Sequence, residues 1–226
     1  MTQSAPARVD HAWLRHRLAV GRRRPPALVD GDFRDPQDRT AYRDAAVLVP
    51  VVERDSGLTI LLTRRTAHLR DHAGQISFPG GRVEPGDASP AHTALREAAE
   101  EIGLAADRVE LLGNLDDHTT ATGFRITPVV GLVHQPFELF PDAFEVDEVF
   151  ELPLEHLFEP ANLQRNRIFQ SGRMHDYYAF PWRDHYIWGA TASMLKNLCG
   201  LLLDAVPPTS AINPDGLPEL HQPIET

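Results

Sequence analysis

Residues 78–104 read F-P-G-G-R-V-E-P-G-D-A-S-P-A-H-T-A-L-R-E-A-A-E-E-I-G-L. Their spacing predicts a tight turn, a loop ending at Asp87 and a short helix over 88–104. Ser89-Pro90 supplies an N-cap and a residue preset for the first helical position, and Gly103 supplies the stop. At about 100° per residue, Ala94, Leu95, Ala98, Ala99 and Ile102 share one side and can face a core. Glu97, Glu100 and Glu101 stand at i, i+3 and i+4, which crowds three carboxylates onto one patch. No Lys lies in this helix, and Arg96 is one cation beside the three acids. Like charges at this spacing cost roughly 0.2–0.5 kcal/mol per pair. A divalent cation would reverse that cost, because hard ions prefer oxygen ligands and keep waters and substrate phosphates in their shell. A solvated acidic face is the competing reading of E-x-x-E-E. The glycine pair favours the metal, since Gly80-Gly81 lets backbone approach whatever the carboxylates hold.

On these residues the chain resembles the Nudix hydrolases, whose signature is G-x5-E-x7-R-E-U-x-E-E-x-G-U with U a bulky apolar residue. Arg96-Glu97, Glu100-Glu101, Gly103 and Leu104 match position by position. Asp87 stands where the signature has its first Glu, one extra residue precedes Arg96, and Ala98 is small for U. The resemblance implies an α/β fold, a Nudix-type α/β/α sandwich with a mixed β-sheet between helices.

The segment ahead of the signature carries a second resemblance. Leu61-Leu62-Thr63-Arg64-Arg65-Thr66, then Arg70, Gly74 and Phe78-Pro79-Gly80-Gly81, is similar to the L-L-T-x-R-[SA]-x3-R-x3-G-x3-F-P-G-G motif of the coenzyme A diphosphatases, with Thr66 as its departure. Gly123-Phe124, the T-P-V-V-G run at 127–131 and the I-W-G-A-T-A run at 187–192 also look like that subfamily. The likeness spans about residues 43–205. It implies hydrolysis of the coenzyme A diphosphate to 3′,5′-ADP and 4′-phosphopantetheine, with Mg²⁺ or Mn²⁺ as cofactor. Glu97 and Glu101 are then the candidate metal ligands, with the Gly81 carbonyl as a further one. Glu100 is a candidate for a second metal's shell or for general base, a role for which Glu101, Glu145 and Glu148 also compete. Arg96 orients Glu97 or Glu100, and Asp87 can be explained as a helix cap. Arg64, Arg65 and Arg70, with the Gly80 backbone, are candidates for the substrate's phosphates, because a guanidinium bonds phosphate in bidentate fashion. Each could instead pair with the acidic helix. The same chemistry also fits ADP-ribose, NADH or a dinucleotide polyphosphate, and a non-catalytic nucleotide sensor is a further alternative.

The chain has 226 residues and a net charge of −10, which argues against a general nucleic-acid binder or an anionic membrane surface. Cys199 is the only cysteine, so no internal disulfide forms. Its apolar neighbours suggest a buried thiol. Apolar runs fall well short of the ~18 residues of a membrane span, and the N-terminus has no apolar signal core. A cytoplasmic location is the expectation, with a small nucleotide as partner and a homodimer as the assembly to consider. His68 and His72 are four apart but lack the third ligand and the helical pattern of a zinc site.

The remaining elements follow from pattern. Residues 1–42 are expected to form a helical arm (9–20) and a linker, with Arg22-Arg23-Arg24 ending the helix or touching phosphate. Strands are expected at 45–52 and 58–63 around Asp55-Ser56-Gly57, with Pro50 marking an edge or bulge. Further strands are expected at 110–115, 124–133 and 146–152, with 116–123 as a polar loop and 135–142 as a surface loop. A helical turn at 154–158, a hairpin of 167–170 with 177–180, and a last helix over 187–203 complete the domain. Residues 206–226 are Pro-rich and are expected to be a tail, free or lying on a partner subunit.

Overall fold

The elements run in the order α1 (His11–Gly21), β1 (Leu28–Val29), β2 (Arg43–Arg54), β3 (Gly57–Arg65), β4 (Ile76–Ser77), β5 (Gly80–Arg82), α2 (Pro90–Ile102), β6 (Val109–Asn114), β7 (Asp117–Thr119), β8 (Phe124–Val133), β9 (Val146–Pro153), β10 (Gln164–Gln170), β11 (Arg173–Trp182), β12 (His185–Trp188), α3 (Gly189–Leu203) and β13 (Ser210–Asn213). The computed structural model describes residues 9–21, 28–29, 41–69, 72–120, 122–170, 173–203 and 210–213. Arg22-Arg23-Arg24, Arg70, the turn at Ser171-Gly172 and the chain beyond Asn213 lie outside these residues.

β2 organises the main sheet. Its residues from Ala45 to Val52 are all buried, and successive side chains point to opposite faces. Ala46, Leu48 and Val52 join Ala94, Ala98 and Ile102 of α2 in one core. Val47, Val49 and Val51 join Leu14 and Leu18 of α1 and Leu195, Leu198 and Leu202 of α3 in the other. The sheet therefore lies between α2 on one face and α1 with α3 on the other, an α/β/α sandwich. Each fully buried Leu or Ile contributes on the order of 1.5–3 kcal/mol.

The main sheet is mixed. β2 pairs parallel with β8 and antiparallel with β3 and β5, and β9 lies antiparallel on β3. A second sheet among the described residues has the order β12-β11-β10-β13.

Several sequence expectations change in detail. Pro50 sits in a central strand with uninterrupted register against β8. On the other side of β2, pairing with β5 covers Ala45 to Val47 and pairing with β3 starts at Val51. Pro50 thus occupies the gap between two partners, where a missing N–H leaves no ladder bond unmade. Residues 187–188 belong to β12 rather than to the last helix, because Gly189 at φ +62° breaks the run. Within α2, Ala99 is exposed and Thr93 takes its place in the buried face. The loop expected at 116–123 contains β7. Phe137 and Leu139 of the loop expected at the surface pack against the α2 core. Residues 210–213 of the expected tail form β13, parallel to β10 of the same chain. Cys199 is buried with its thiol donating to the Leu157 carbonyl at 3.1 Å, and burial pushes it up to about 12. Among the described residues no helix is long and apolar enough to cross a membrane.

Candidate active site

Helix α2 is fixed at both ends before any tertiary contact is counted. The Ser89 hydroxyl accepts the His92 N–H at 3.2 Å, and Pro90 fills the first helical position. Gly103, at φ +68°, closes the other end, with its N–H on the Ala99 carbonyl and that of Leu104 on the Ala98 carbonyl. The caps fix where the helix begins and ends, and the packing of Ala94, Ala98 and Ile102 on β2 sets the rotation that aims two acids at the glycine turn.

β5 lays Gly80 and Gly81 beside β2, opposite Val47 and Ala46. A Cβ on Gly81 would stand 2.3 Å from Oε1 of Glu97, and one on Gly80 would stand 2.5 Å from the Ala46 carbonyl oxygen. At Gly80 the obstacle is backbone and no larger side chain fits, whereas at Gly81 it is the end of the Glu97 side chain, which would have to be displaced. The Gly80 N–H donates to Oε2 of Glu101 at 3.2 Å. Two carboxylates one helical turn apart are therefore held against two consecutive glycines.

Glu101 is 8% exposed, and burial pushes its carboxyl up to about 7. The Gly80 N–H and the Arg65 guanidinium oppose that rise, and the charges of Glu145 and Glu97 add to it. Arg65 Nη1 lies 3.6 Å from Oε1 of Glu101 and 4.0 Å from Oε2 of Glu145. Glu97 is also raised by burial, against the lowering effect of Arg96. Each carboxylate has one guanidinium near it, Arg96 for Glu97 and Arg65 for Glu101, but burial outweighs both, so the charged form of the pair is only partly compensated.

Arg96 ties the cluster to the preceding loop. Its Nη1 lies 2.9 Å from Oε1 of Glu97 and 3.1 Å from Oε2 of Glu100, and its Nη2 donates to the Arg82 carbonyl at 3.1 Å. The rest of the guanidinium grips Asp87, which is 2% exposed. Asp87 also accepts from the Glu84 N–H and the Thr93 hydroxyl, each at 2.9 Å. The Arg96 guanidinium first, and then the Glu84 N–H, hold its carboxyl well below the usual carboxylate range. Asp87 is thus the anchor of Arg96, while Ser89 is the helix cap.

Neighbouring residues of β3 reach different compartments. Arg65 turns toward α2. Arg64 turns to the other face, where its Nε lies 2.9 Å from Asp147 and its Nη2 lies 3.0 Å from Glu148. A bulge in β9 between the partners of Arg64 and Arg65 lets both acids reach one arginine. Glu148 also meets Nε2 of His185 at 3.1 Å, and the His185 ring stacks on Phe150 with centroids 3.7 Å apart.

The loop before β9 is latched to the end of α2. The N–H groups of Phe140 and Asp142 donate to the carbonyls of Ile102 and Glu101, each at 2.9 Å. This brings Glu145 to Arg65.

Of the acids expected on one patch, Glu97 and Glu101 converge on Gly80 and Gly81, whereas Glu100 is 60% exposed and held by Arg96. Arg65 joins the pair and Arg64 does not. Among the described residues no three or more His, Cys, Asp and Glu side chains gather closely enough to hold a metal by themselves. Two carboxylates still fit a hard divalent ion that completes its shell with waters and substrate phosphates. Sequence spacing missed the buried anchoring role of Asp87. It also gave no sign that Glu145, rather than Glu148, faces the acid pair, because both facts depend on contacts distant in sequence.

These features set two buried carboxylates against a glycine turn on an α/β/α sandwich. The chain belongs to the NUDIX family: the NUDIX domain model matches residues 42–172, and the protein is a Nudix hydrolase. It is 40% identical over 156 residues to the Uncharacterized Nudix hydrolase NudL of Yersinia pestis (strain Pestoides F), covering 69% of this chain and 78% of that one. The same figures hold for NudL of Yersinia pseudotuberculosis serotype O:1b (strain IP 31758). Among solved structures, a Caenorhabditis elegans Ap4A hydrolase binary complex has a TM-score of 0.43 at 19% identity, covering 49% of this chain and 80% of that chain. The family assignment rests on the sequence matches.

Proposed function

We propose that the protein hydrolyses the diphosphate of coenzyme A or its derivatives, releasing 3′,5′-ADP and 4′-phosphopantetheine. The observation that carries this reading is the meeting of Arg65 with Glu101 at 3.6 Å. Arg65 comes from the segment similar to the coenzyme A diphosphatases, and Glu101 comes from the signature helix. Both the feature that suggests the substrate and the feature that suggests the chemistry therefore meet at one point.

Nudix hydrolases generally use divalent metal ions. In this reading Glu97 and Glu101, with the Gly81 carbonyl, would hold Mg²⁺ or Mn²⁺, and the exposed Glu100 would be the carboxylate available to a second ion once released from Arg96. The bound ion would neutralise charge on the phosphates and make a bound water more acidic. Arg96 keeps Glu97 and Glu100 oriented. The Gly80 N–H, beside Glu101, would be the backbone donor for a phosphate oxygen. Arg65 supplies positive charge to the diphosphate, as would Arg70 by resemblance. Glu145, the acid beside Arg65 and Glu101, takes the proton of the attacking water. Water adds to one phosphorus, the bridging P–O bond breaks, and the other phosphate leaves with the electron pair.

The test is product analysis of coenzyme A incubated with Mg²⁺ or Mn²⁺, for the parent protein and Glu101→Gln side by side. Equimolar 3′,5′-ADP and 4′-phosphopantetheine are expected from the parent, with the rate of the variant down at least about 100-fold. Higher kcat/KM on ADP-ribose than on coenzyme A would overturn the substrate. Tight nucleotide binding without metal-dependent turnover would overturn the reaction.

A further inference from the structure

Phe144 is 65% exposed, yet its backbone is tied on both sides. Its N–H donates to Oδ1 of Asp142 at 2.9 Å, and its carbonyl accepts the Thr66 hydroxyl at 2.8 Å. The Thr66 N–H bonds the next carbonyl, that of Glu145, at 3.0 Å, and the Asp142 N–H bonds the Glu101 carbonyl at 2.9 Å. The ring is met by His68, itself exposed, with centroids 4.9 Å apart and planes tilted by 59°. A tilted contact fixes the plane of the phenyl ring without stacking over it. A large apolar ring is therefore held in water by contacts that do not bury it.

The location of the ring indicates what it is for. Thr66 follows Arg65, and Phe144 precedes Glu145. Both neighbours reach the acid pair, since Arg65 contacts Glu101 and Glu145 alike. A diphosphate held at Glu97 and Glu101 extends away from the metal through a ribose to a nucleobase, a flat and weakly hydrated group. Such groups stack on exposed aromatic rings irrespective of their hydrogen-bonding edge. Phe140 of the same loop is also exposed, but it lies against Gly103 at the C-terminal end of α2, whereas Phe144 adjoins the residues that meet the acid pair.

We infer that the outward ring of Phe144, braced by His68, is the stacking platform for the nucleobase of the substrate. The inference rests on the reading above, that a nucleoside diphosphate derivative occupies the Glu97–Glu101 site. It adds the part of that substrate which the loop recognises. Because every base has a π-face, the platform contributes affinity for a nucleotide rather than choice among bases.

The experiment measures calorimetric binding of AMP and of inorganic pyrophosphate, both with Mg²⁺, to the parent protein, Phe144→Ala and Phe144→Trp. Phe144→Ala is expected to weaken AMP about tenfold and to leave pyrophosphate unchanged, and Phe144→Trp is expected to restore AMP. KM for coenzyme A should rise in parallel with little change in kcat. Unchanged AMP binding in Phe144→Ala overturns the inference, and so does undetectable AMP binding by the parent. Equal losses of AMP and pyrophosphate would mean that the loop has moved, and would also overturn it. If Phe144→Ala instead changes the oligomeric state with AMP binding intact, the ring belongs to a subunit contact. AMP binding is read without turnover, so failure to cleave coenzyme A would sink the proposed reaction and leave this result standing.

Discussion

Arg96 meets Asp87 with two parallel donors, Nε to Oδ1 at 3.2 Å and Nη2 to Oδ2 at 3.0 Å, while its Nη1 stays 2.9 Å from Glu97. One guanidinium thus couples the loop after the glycine turn to a carboxylate of the acid pair. Asp87→Asn keeps the size of the side chain and removes the charge that holds this geometry. Turnover is expected to fall about 10- to 100-fold, with a higher Mg²⁺ concentration needed for half-maximal rate. The check is a metal titration of initial rates. An unchanged titration would mean that Glu97 and Glu100 place Arg96 unaided.

Gly81→Ala inserts a methyl where Oε1 of Glu97 stands 2.3 Å away. Glu97 lies at the end of a flexible side chain, so it moves and the fold survives. A displacement of about 1 Å at a reacting centre can cost on the order of 100-fold in rate. The variant should melt within a few degrees of the parent but lose that much kcat/KM, as measured by thermal unfolding beside steady-state kinetics.

The sequence leaves Glu145 and Glu148 either as surface charges guarding a sheet edge or as general-base candidates beside Glu100 and Glu101, and their contacts separate the two. Glu145 lies by Arg65 and Glu101, whereas Glu148 is engaged by Arg64 and His185 on the face away from α2. Glu145→Gln is expected to lose about 10²- to 10⁴-fold in kcat, the range for removing an acid–base group. Glu148→Gln should turn over at close to the parent rate. Rates measured for the two variants at saturating metal decide, and a slow Glu148→Gln would reverse the assignment.

His118 gives a pH dependence. It is buried in β7, and burial lowers it from 6.5 to about 4. Between those values the unfolded chain takes up a proton that the folded chain refuses. Its contribution is therefore complete above about pH 6.5 and is lost as the pH falls toward 4, amounting to about 3 kcal/mol in full. Denaturant midpoints measured across this window should fall on acidification, and His118→Gln should flatten the curve. A parent curve no steeper than that of the variant would show that water reaches the ring.

Much of α2 could be read in the sequence because its determinants are local. Ser89, Pro90 and Gly103 act within one turn of themselves, and the spacing of Glu97 and Glu101 places them on neighbouring turns whatever the helix packs against. The burial of Glu101 was not legible, since it depends on where β5 lies. Ala99 was expected in the core and is exposed, because the helix is rotated to bring Glu101 inward and Thr93 with it. β12 was absorbed into the last helix, as short apolar runs fit either period and only the left-handed Gly189 divides them. Arg64 and Arg65 looked alike until β3 was given two faces.

That strand has a consequence for any change in chain length. Insert one residue before Arg64 within β3, and each later side chain would be delivered to the opposite layer. The guanidinium now shared by Asp147 and Glu148 would be presented to Glu101, and the one that serves Glu101 would be carried away from it. Length changes should consequently be harmless in the bend at Asp55-Ser56 and ruinous a few positions later, even where every residue type is preserved.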